Sequence, residues 1–312
     1  MREIYDAVVI GGGPGGYTAA LYCVRAGLKT ILLEKLSAGG QMALSTQIDN
    51  YPGFEEGIDG FTLAEKMQAQ AERFGAETEL ADVFGAELEG SVKTVHTSEG
   101  DFQGRTLILA AGAFPRKLGL PEEEQLIGRG VNYCAACDGM FYKGKTVAVI
   151  GGGNSAAADA MVLSRICEKV IVVHRRDTLR ATKIYHDPLM KAENVEFVWN
   201  SEVTGLLHGD KLTGLKFHNG VTGEDSELSV DGVFVSIGRI PASELFRDVL
   251  KTDGAGYIVA DESTRTNIPG VFAVGDIRTK AVRQVVTAAA DGAVAAHYAE
   301  EYLAEHKSAA LA

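Results

Sequence analysis

Two stretches of this chain repeat each other without a gap. Residues 7–35 read AVVIGGGPGGYTAALYCVRAGLKTILLEK, and residues 147–175 read VAVIGGGNSAAADAMVLSRICEKVIVVHR. Gly11, Gly12 and Gly13 therefore fall on Gly151, Gly152 and Gly153. Each copy runs from an apolar, β-type segment through a glycine turn into an alanine-rich helical segment, then into a second apolar segment ending in charge. Glycine at such a turn lets the backbone bend sharply and approach a pyrophosphate, which rests on the N-terminus of the following helix. The third small position is Gly16 in the first copy and Ala156 in the second, and either allows close packing of helix on strand. One such pattern is weak evidence. Two in register predict the βαβ dinucleotide fold twice over, an α/β chain of two doubly wound (Rossmann-like) domains.

The two copies end differently. The second apolar segment of the first copy closes on Glu34, where a carboxylate can accept hydrogen bonds from a free adenosine ribose. At the equivalent place the second copy has His174, Arg175 and Arg176, with Arg180 shortly after. Cations there suit a 2′-phosphate and predict a preference for NADPH over NADH. A smaller echo follows each unit: LILAAG (107–112) and VFVSIG (233–238) are apolar runs closing on glycine, with Pro115 and Pro241 just beyond. These read as last strands followed by crossovers. The predicted partition is residues 1–114 and 248–312 as one domain, with 115–247 inserted into it. A further apolar strand is expected over 270–274, ending in Gly275-Asp276, and a long helix from about Arg283.

Composition limits what such a chain can do. At 312 residues and 46% hydrophobic it can bury two cores, and its 37 glycines against 7 prolines fit many tight turns. The formal charge of -12 disfavours nucleic acid and anionic membrane as partners. No run approaches the roughly 18 apolar residues of a membrane span. The short apolar start at Ala7–Ile10 breaks into glycines too early for a signal peptide, which leaves the cytoplasm as the expected compartment. The tail Ala309–Ala312 is expected to be disordered and carries no signal.

Four cysteines are present. Cys23 and Cys167 lie alone in apolar helix-like segments and read as small buried residues. Cys134 and Cys137 stand in NYCAACDG, between the two repeats, at a spacing that suits a tight reducible disulfide or half a metal site. The remaining cysteines and the scattered histidines offer no second pair of ligands, so no metal is expected. A redox pair beside two nucleotide sites is chemically coherent, since hydride from NADPH, a flavin and a disulfide each move two electrons. Asp138 can be read as an acid for a departing thiolate, or as a cap or Asp-Gly turn with Gly139.

With these motifs on the page the chain resembles the low-molecular-weight (bacterial-type) thioredoxin reductases, from Tyr5 to about Tyr302. GGGPGG, Gly39-Gly40-Gln41, DNYPG (49–53), CAACDG, GGGNSA, HRRDTLRA, VGDI and RQVVTAA carry the resemblance. It implies a homodimeric flavoprotein passing electrons from NADPH through FAD and a Cys134–Cys137 disulfide to thioredoxin. Cys137 would face the flavin, Cys134 would exchange with thioredoxin, and Asp138 would be the acid. FAD would lie by Gly11, Gly13, Pro14, Gly15, Gly16, Glu34, Gln41, Asn50, Ala111, Gly112, Asp276, Arg283 and Gln284. NADPH would lie by Gly153, Asn154, Ser155, His174, Arg175, Arg176 and Arg180. The family's domain rotation points to Pro115–Leu120 and Gly238–Ser243 as hinges. One departure stands out: where the family carries an acidic pair after GGGNSA, this chain has Ala158 and Asp159. The alternatives are another dithiol partner, ferredoxin as donor, oxygen as acceptor, or a non-catalytic redox-sensing nucleotide-binding module.

Overall fold

A computed structural model describes residues 3–45 and 47–309; Ala310–Ala312 of the tail lie outside the described residues. The chain divides into two compact units, Met1–Phe114 with Ile240–Ala312, and Pro115–Arg239. It opens with β1 (Ile4–Ile10), α1 (Pro14–Arg25), β2 (Thr30–Glu34), α2 (Gly60–Arg73) and β3 (Glu77–Leu80). Then come β4 (Val83–Glu87), β5 (Lys93–Thr97), β6 (Gly100–Leu109) and β7 (Ala113–Pro115). The inserted unit continues with β8 (Val131–Asn132), α3 (Ala135–Asp138), β9 (Thr146–Ile150), α4 (Asn154–Leu163), β10 (Lys169–Val173) and α5 (His186–Lys191). It is completed by β11 (Val195–Val198), β12 (Ser201–His208), β13 (Leu212–Asn219), β14 (Asp225–Ser229) and β15 (Gly232–Val235). After β16 (Arg239–Pro241) the chain returns to the first unit with β17 (Val271–Ala273) and α6 (Val285–Ala309).

In the first unit the strands follow the order β3-β2-β1-β6-β5-β4, with β17 also paired to β6. Pairings among β1, β2, β3, β6 and β17 are parallel. Strand β6 is long enough to share its far edge. Gly100–Gly104 pair antiparallel with β5, whereas Leu107–Leu109 pair with β17. Alternation then sorts the side chains: Ala7 and Val9 enter one buried cluster with α1 and α6, and Val8 and Ile10 enter the other. Helix α1 begins with Pro14 at its first position, where a missing N–H costs nothing. It stops at Gly27, whose positive φ lets Leu28 N–H reach the Cys23 carbonyl.

The inserted unit repeats the plan in a parallel sheet of order β11-β10-β9-β15-β8. Val147 and Val149 face one cluster, Ala148 and Ile150 the other, which matches β1 position for position. A three-stranded antiparallel sheet, β12-β13-β14, adds to it. Both units are thus doubly wound α/β layers. The second crossing falls after Arg239 rather than after residue 247. Packing explains the difference: Phe246 and Leu250 are buried with Tyr5, Val8 and Ile10, and Ala242 N–H donates to the Gly112 carbonyl. The long helix starts at Val285, just beyond Arg283.

A Cβ built on Gly16 would stand 1.9 Å from the Gly11 carbonyl oxygen. Gly16→Ala must therefore push α1 off the sheet, at a cost of about 3 kcal/mol. Urea unfolding of the flavin-free protein should show a lower midpoint with an unchanged slope.

Candidate active site

At the first glycine turn, Gly11 takes φ +105°, and Gly13 precedes α1 in extended conformation with no side-chain cap. The first N–H groups of α1 are therefore left for a ligand. A Cβ on Gly13 would meet no protein atom within 4 Å, so the space a pyrophosphate needs is open. Gly15 and Gly16 are buried by close approach, Gly15 against the Ala288 carbonyl of α6 and Gly16 against Gly11. Glu34 ends β2 and turns its carboxylate back to the turn, accepting from Gly12 N–H at 2.5 Å and Lys35 N–H at 2.8 Å. Ala111 and Gly112 follow β6 at the same sheet edge, Gly112 with φ +71°.

Of the more distant residues, Asn50 and Gln284 meet. Asn50 Nδ2 donates to Gln284 Oε1 at 3.0 Å, although the two lie far apart in sequence. Gln41 is exposed on the short 3-10 turn Gly40–Leu44 that follows the positive-φ Gly39. Asp276 is half-buried in the turn after β17. Arg283 lays its guanidinium 4.0 Å from the Tyr257 ring centroid, while its Nε is buried without a hydrogen-bond partner. An orphaned cationic donor of this kind suits an anionic ligand.

The second turn is built alike. Gly151 takes φ +139°, Gly153 is open above, and α4 starts at Asn154 without a side-chain cap. Asn154 Oδ1 instead accepts from Thr182 N–H at 2.7 Å, and the Arg180 N–H donates to the Gly152 carbonyl at 2.6 Å. Arg175, Arg176 and Arg180 are exposed, as is Ser155. His174 departs from the cationic role given to it above. It is buried against Gly152 and lies edge-on to Trp199, with Nε2 unpartnered. Burial, reinforced by the three arginines, pushes its pKa down. The exposed charge at this turn is that of the arginines, not of His174.

Cys134 and Cys137 form a disulfide, with Cα atoms 5.3 Å apart. Cys134 caps α3, and its carbonyl accepts from the N–H groups of Cys137 and Asp138. Burial pushes the Asp138 carboxyl up to about 6, within reach of proton donation near neutral pH. Cys23 and Cys167 are free and buried, and burial raises both thiols. No cluster of metal-ligating side chains occurs among the described residues.

Three groups escape sequence reasoning. Glu123, 1% exposed, accepts from Leu118 N–H, Gly119 N–H and the Tyr133 hydroxyl, binding the segment after the first crossing to the residue before Cys134. Within the run Glu122–Glu124 it reads as solvated charge. Asp291 accepts from Gly275 N–H, Arg278 Nε and Lys280 Nζ beneath the Asp276 turn. An acid in the alanine-rich first half of α6 was its only signal. Asp159 accepts a hydrogen bond from Ser236 Oγ, and the sequence holds no hint of that pairing.

Two Rossmann-type turns, with a disulfide in the second unit, define a nucleotide-dependent disulfide oxidoreductase. The family described as "Pyridine nucleotide-disulphide oxidoreductase" matches residues 5–292. A thioredoxin reductase of Listeria monocytogenes is 46% identical over 307 residues, covering 98% of this chain and 96% of its own. A "bifunctional thioredoxin reductase/thioredoxin" of Mycobacterium leprae is 46% identical over 98% of this chain and 67% of its own. The crystal structure of thioredoxin reductase from Streptococcus pyogenes superposes with a TM-score of 0.91 at 40% identity, covering 98% of this chain and all of that one. The chain belongs to this family and, within it, to the thioredoxin reductases. It is an oxidoreductase using FAD and NADPH.

Two variants test how the turns work. Gly13→Ala should fold as the parent does yet bind FAD at least about 10-fold more weakly, its methyl occupying the open cradle. Flavin titration with a parallel melting curve reads both. Arg176→Ala should raise the KM for NADPH about 10- to 100-fold and leave that for NADH unchanged.

Proposed function

We propose that this chain is an NADPH-dependent thioredoxin-disulfide reductase in which Cys134 and Cys137 carry the electrons. The observation that carries the reading is the disulfide itself, closed at the start of α3 beside a half-buried carboxyl raised to about 6. It lies in the same unit as the arginine-flanked glycine turn. The relatives named thioredoxin reductase support the partner, and in the Mycobacterium leprae relative's name the two activities stand together. In this reading the first unit holds FAD and the inserted unit holds NADPH. A homodimer and a cytoplasmic setting complete it. Among the described residues no helix is long and apolar enough to cross a membrane.

Bound FAD supplies a two-electron acceptor for NADPH and a donor to the disulfide. The chain's own residues do the rest. Glu34 accepts from the adenosine ribose of FAD, Arg283 offers its orphaned Nε to the cofactor, and Arg175, Arg176 and Arg180 hold the 2′-phosphate of NADPH. Reduction of the pair breaks the S–S bond and takes up two electrons, with two protons at the dithiol stage. Cys134, as thiolate, attacks one sulfur of the thioredoxin disulfide and releases the other as thiolate, which Asp138 protonates. Cys137 then attacks Cys134, closing the disulfide and freeing reduced thioredoxin.

NADPH oxidation measured anaerobically should be fast only with thioredoxin present, and slow with NADH. Cys137→Ser should still permit flavin bleaching by NADPH but abolish thioredoxin reduction; full activity in that variant would refute the relay. Asp138 is protonated below its pKa and ionised above it, so thiol exchange should fall as pH rises through about 6. Asp138→Asn should lose that limb and about 100-fold in rate, read by stopped-flow across pH 5 to 9.

A further inference from the structure

Asp291 lies in the first half of α6, one turn after Thr287. Its Oδ2 accepts from Lys280 Nζ at 2.7 Å, Gly275 N–H at 2.8 Å and Arg278 Nε at 3.2 Å, and its Oδ1 from Arg278 Nη2 at 3.3 Å. The side chains of Asp291, Arg278 and Lys280 are no more than 11% exposed, so water does little to weaken these bonds. Each partner leads on to a residue expected at the cofactor. Gly275 precedes Asp276 in the turn after β17. The Arg278 carbonyl accepts from Arg283 Nη2 at 3.2 Å, and Arg283 is the side chain with the orphaned Nε. Lys280 Nζ also donates to the Thr287 carbonyl at 3.2 Å. Thr287 Oγ1 in turn accepts from Gln284 N–H at 3.1 Å, and Gln284 Oε1 holds Asn50.

Between the short turn Gly275–Ile277 and the start of α6 the chain is neither helix nor strand, apart from one isolated bridge at Arg278. No continuous ladder of backbone bonds fixes its shape. A loop that must present Asp276, Arg283 and Gln284 together loses conformational entropy on binding, unless something orders it beforehand. We propose that Asp291 is the positioning residue of the FAD cradle: its carboxylate fastens the loop to α6 so that the three side chains stand ready before the cofactor arrives. The tie depends on charge. Without the carboxylate, Arg278 and Lys280 would face each other in an enclosed space with their shared counter-charge gone, and the loop would open to separate and hydrate them. This inference rests on the reading that the first unit holds FAD and does so through this loop.

Asp291→Asn keeps nearly the same shape and removes the charge. The full chain is prepared flavin-free, and FAD is titrated into parent and variant well below both melting temperatures. The variant should bind FAD at least about 10-fold more weakly. Arg278, Lys280 and Arg283 also make the loop a set of trypsin sites, so brief digestion with peptide mass mapping reads its order directly. In the flavin-free variant these three sites should be cut about 10-fold faster than in the parent, while exposed Lys211 of the inserted unit is cut at the parent's rate. A folded Asp291→Asn with the parent's FAD affinity overturns the proposal. So does weaker binding with unchanged cleavage of the loop, or with cleavage raised equally at Lys211, since Asp291 would then act on the fold as a whole. If Asp291→Asn does not fold, Lys280→Met, which leaves Asp291 paired with Arg278, should show the same two changes to a smaller extent, and an unchanged Lys280→Met overturns the proposal. Arg283→Ala serves as the control on the cradle: if it too binds FAD as the parent does, the reading of this loop as the FAD site falls as well.

Discussion

At the first glycine turn the Gly11 carbonyl oxygen stands 1.9 Å from where a Cβ of residue 16 would be. The strand before the turn and the helix after it therefore approach more closely than any side chain permits. That approach places the start of α1 over the sheet edge with its N–H groups unspent, which is what an anionic cofactor needs. The second turn is also tight: Gly151 takes a positive φ, and a Cβ there would lie 2.4 Å from the Ser236 carbonyl oxygen. Gly15 and Gly292 extend the close packing to α6, where a Cβ on Gly292 would lie 2.3 Å from the Gly15 carbonyl.

Electrostatics inside the two units is arranged around carboxylates rather than around the net charge of the chain. Glu34, Glu123, Asp159 and Asp291 each gather backbone or side-chain donors from segments apart in sequence. Each satisfies groups that would otherwise be buried without a partner. Asp138 is the exception, raised by burial alone, and it stands next to the disulfide. A carboxyl held near neutral by its surroundings, beside a bond that must be cleaved and re-formed with protons, is the arrangement that acid catalysis requires.

The gapless repeat of the two glycine turns made both parallel sheets legible, because glycine spacing and apolar alternation are local signals. The cysteine pair was legible for the same reason. His174 was misread as a cation, since its burial depends on Gly152 and Trp199, which only the folded chain brings against it. The second crossing was expected after residue 247, whereas Phe246 has already joined the first core beside Leu250. Motifs singled out Asn50 and Gln284 but not their contact, and gave no sign of Asp159 with Ser236. Nothing in either residue's neighbourhood announces a partner 77 positions away.

The sharing of β6 has a consequence for how the polypeptide emerges from a ribosome. Leu107–Leu109 wait for β17, which begins at Val271, and the Gly15 face of α1 waits for α6. At ordinary rates of synthesis that interval lasts roughly ten to thirty seconds. During it the whole inserted unit, Pro115–Arg239, is extruded and can close its own sheet. The nascent chain thus carries a finished inner body on an outer one whose apolar β6 edge is still bare. An uncovered edge of that kind is a template for mispairing, so the stretch from β17 onward decides whether the opening strands have folded well.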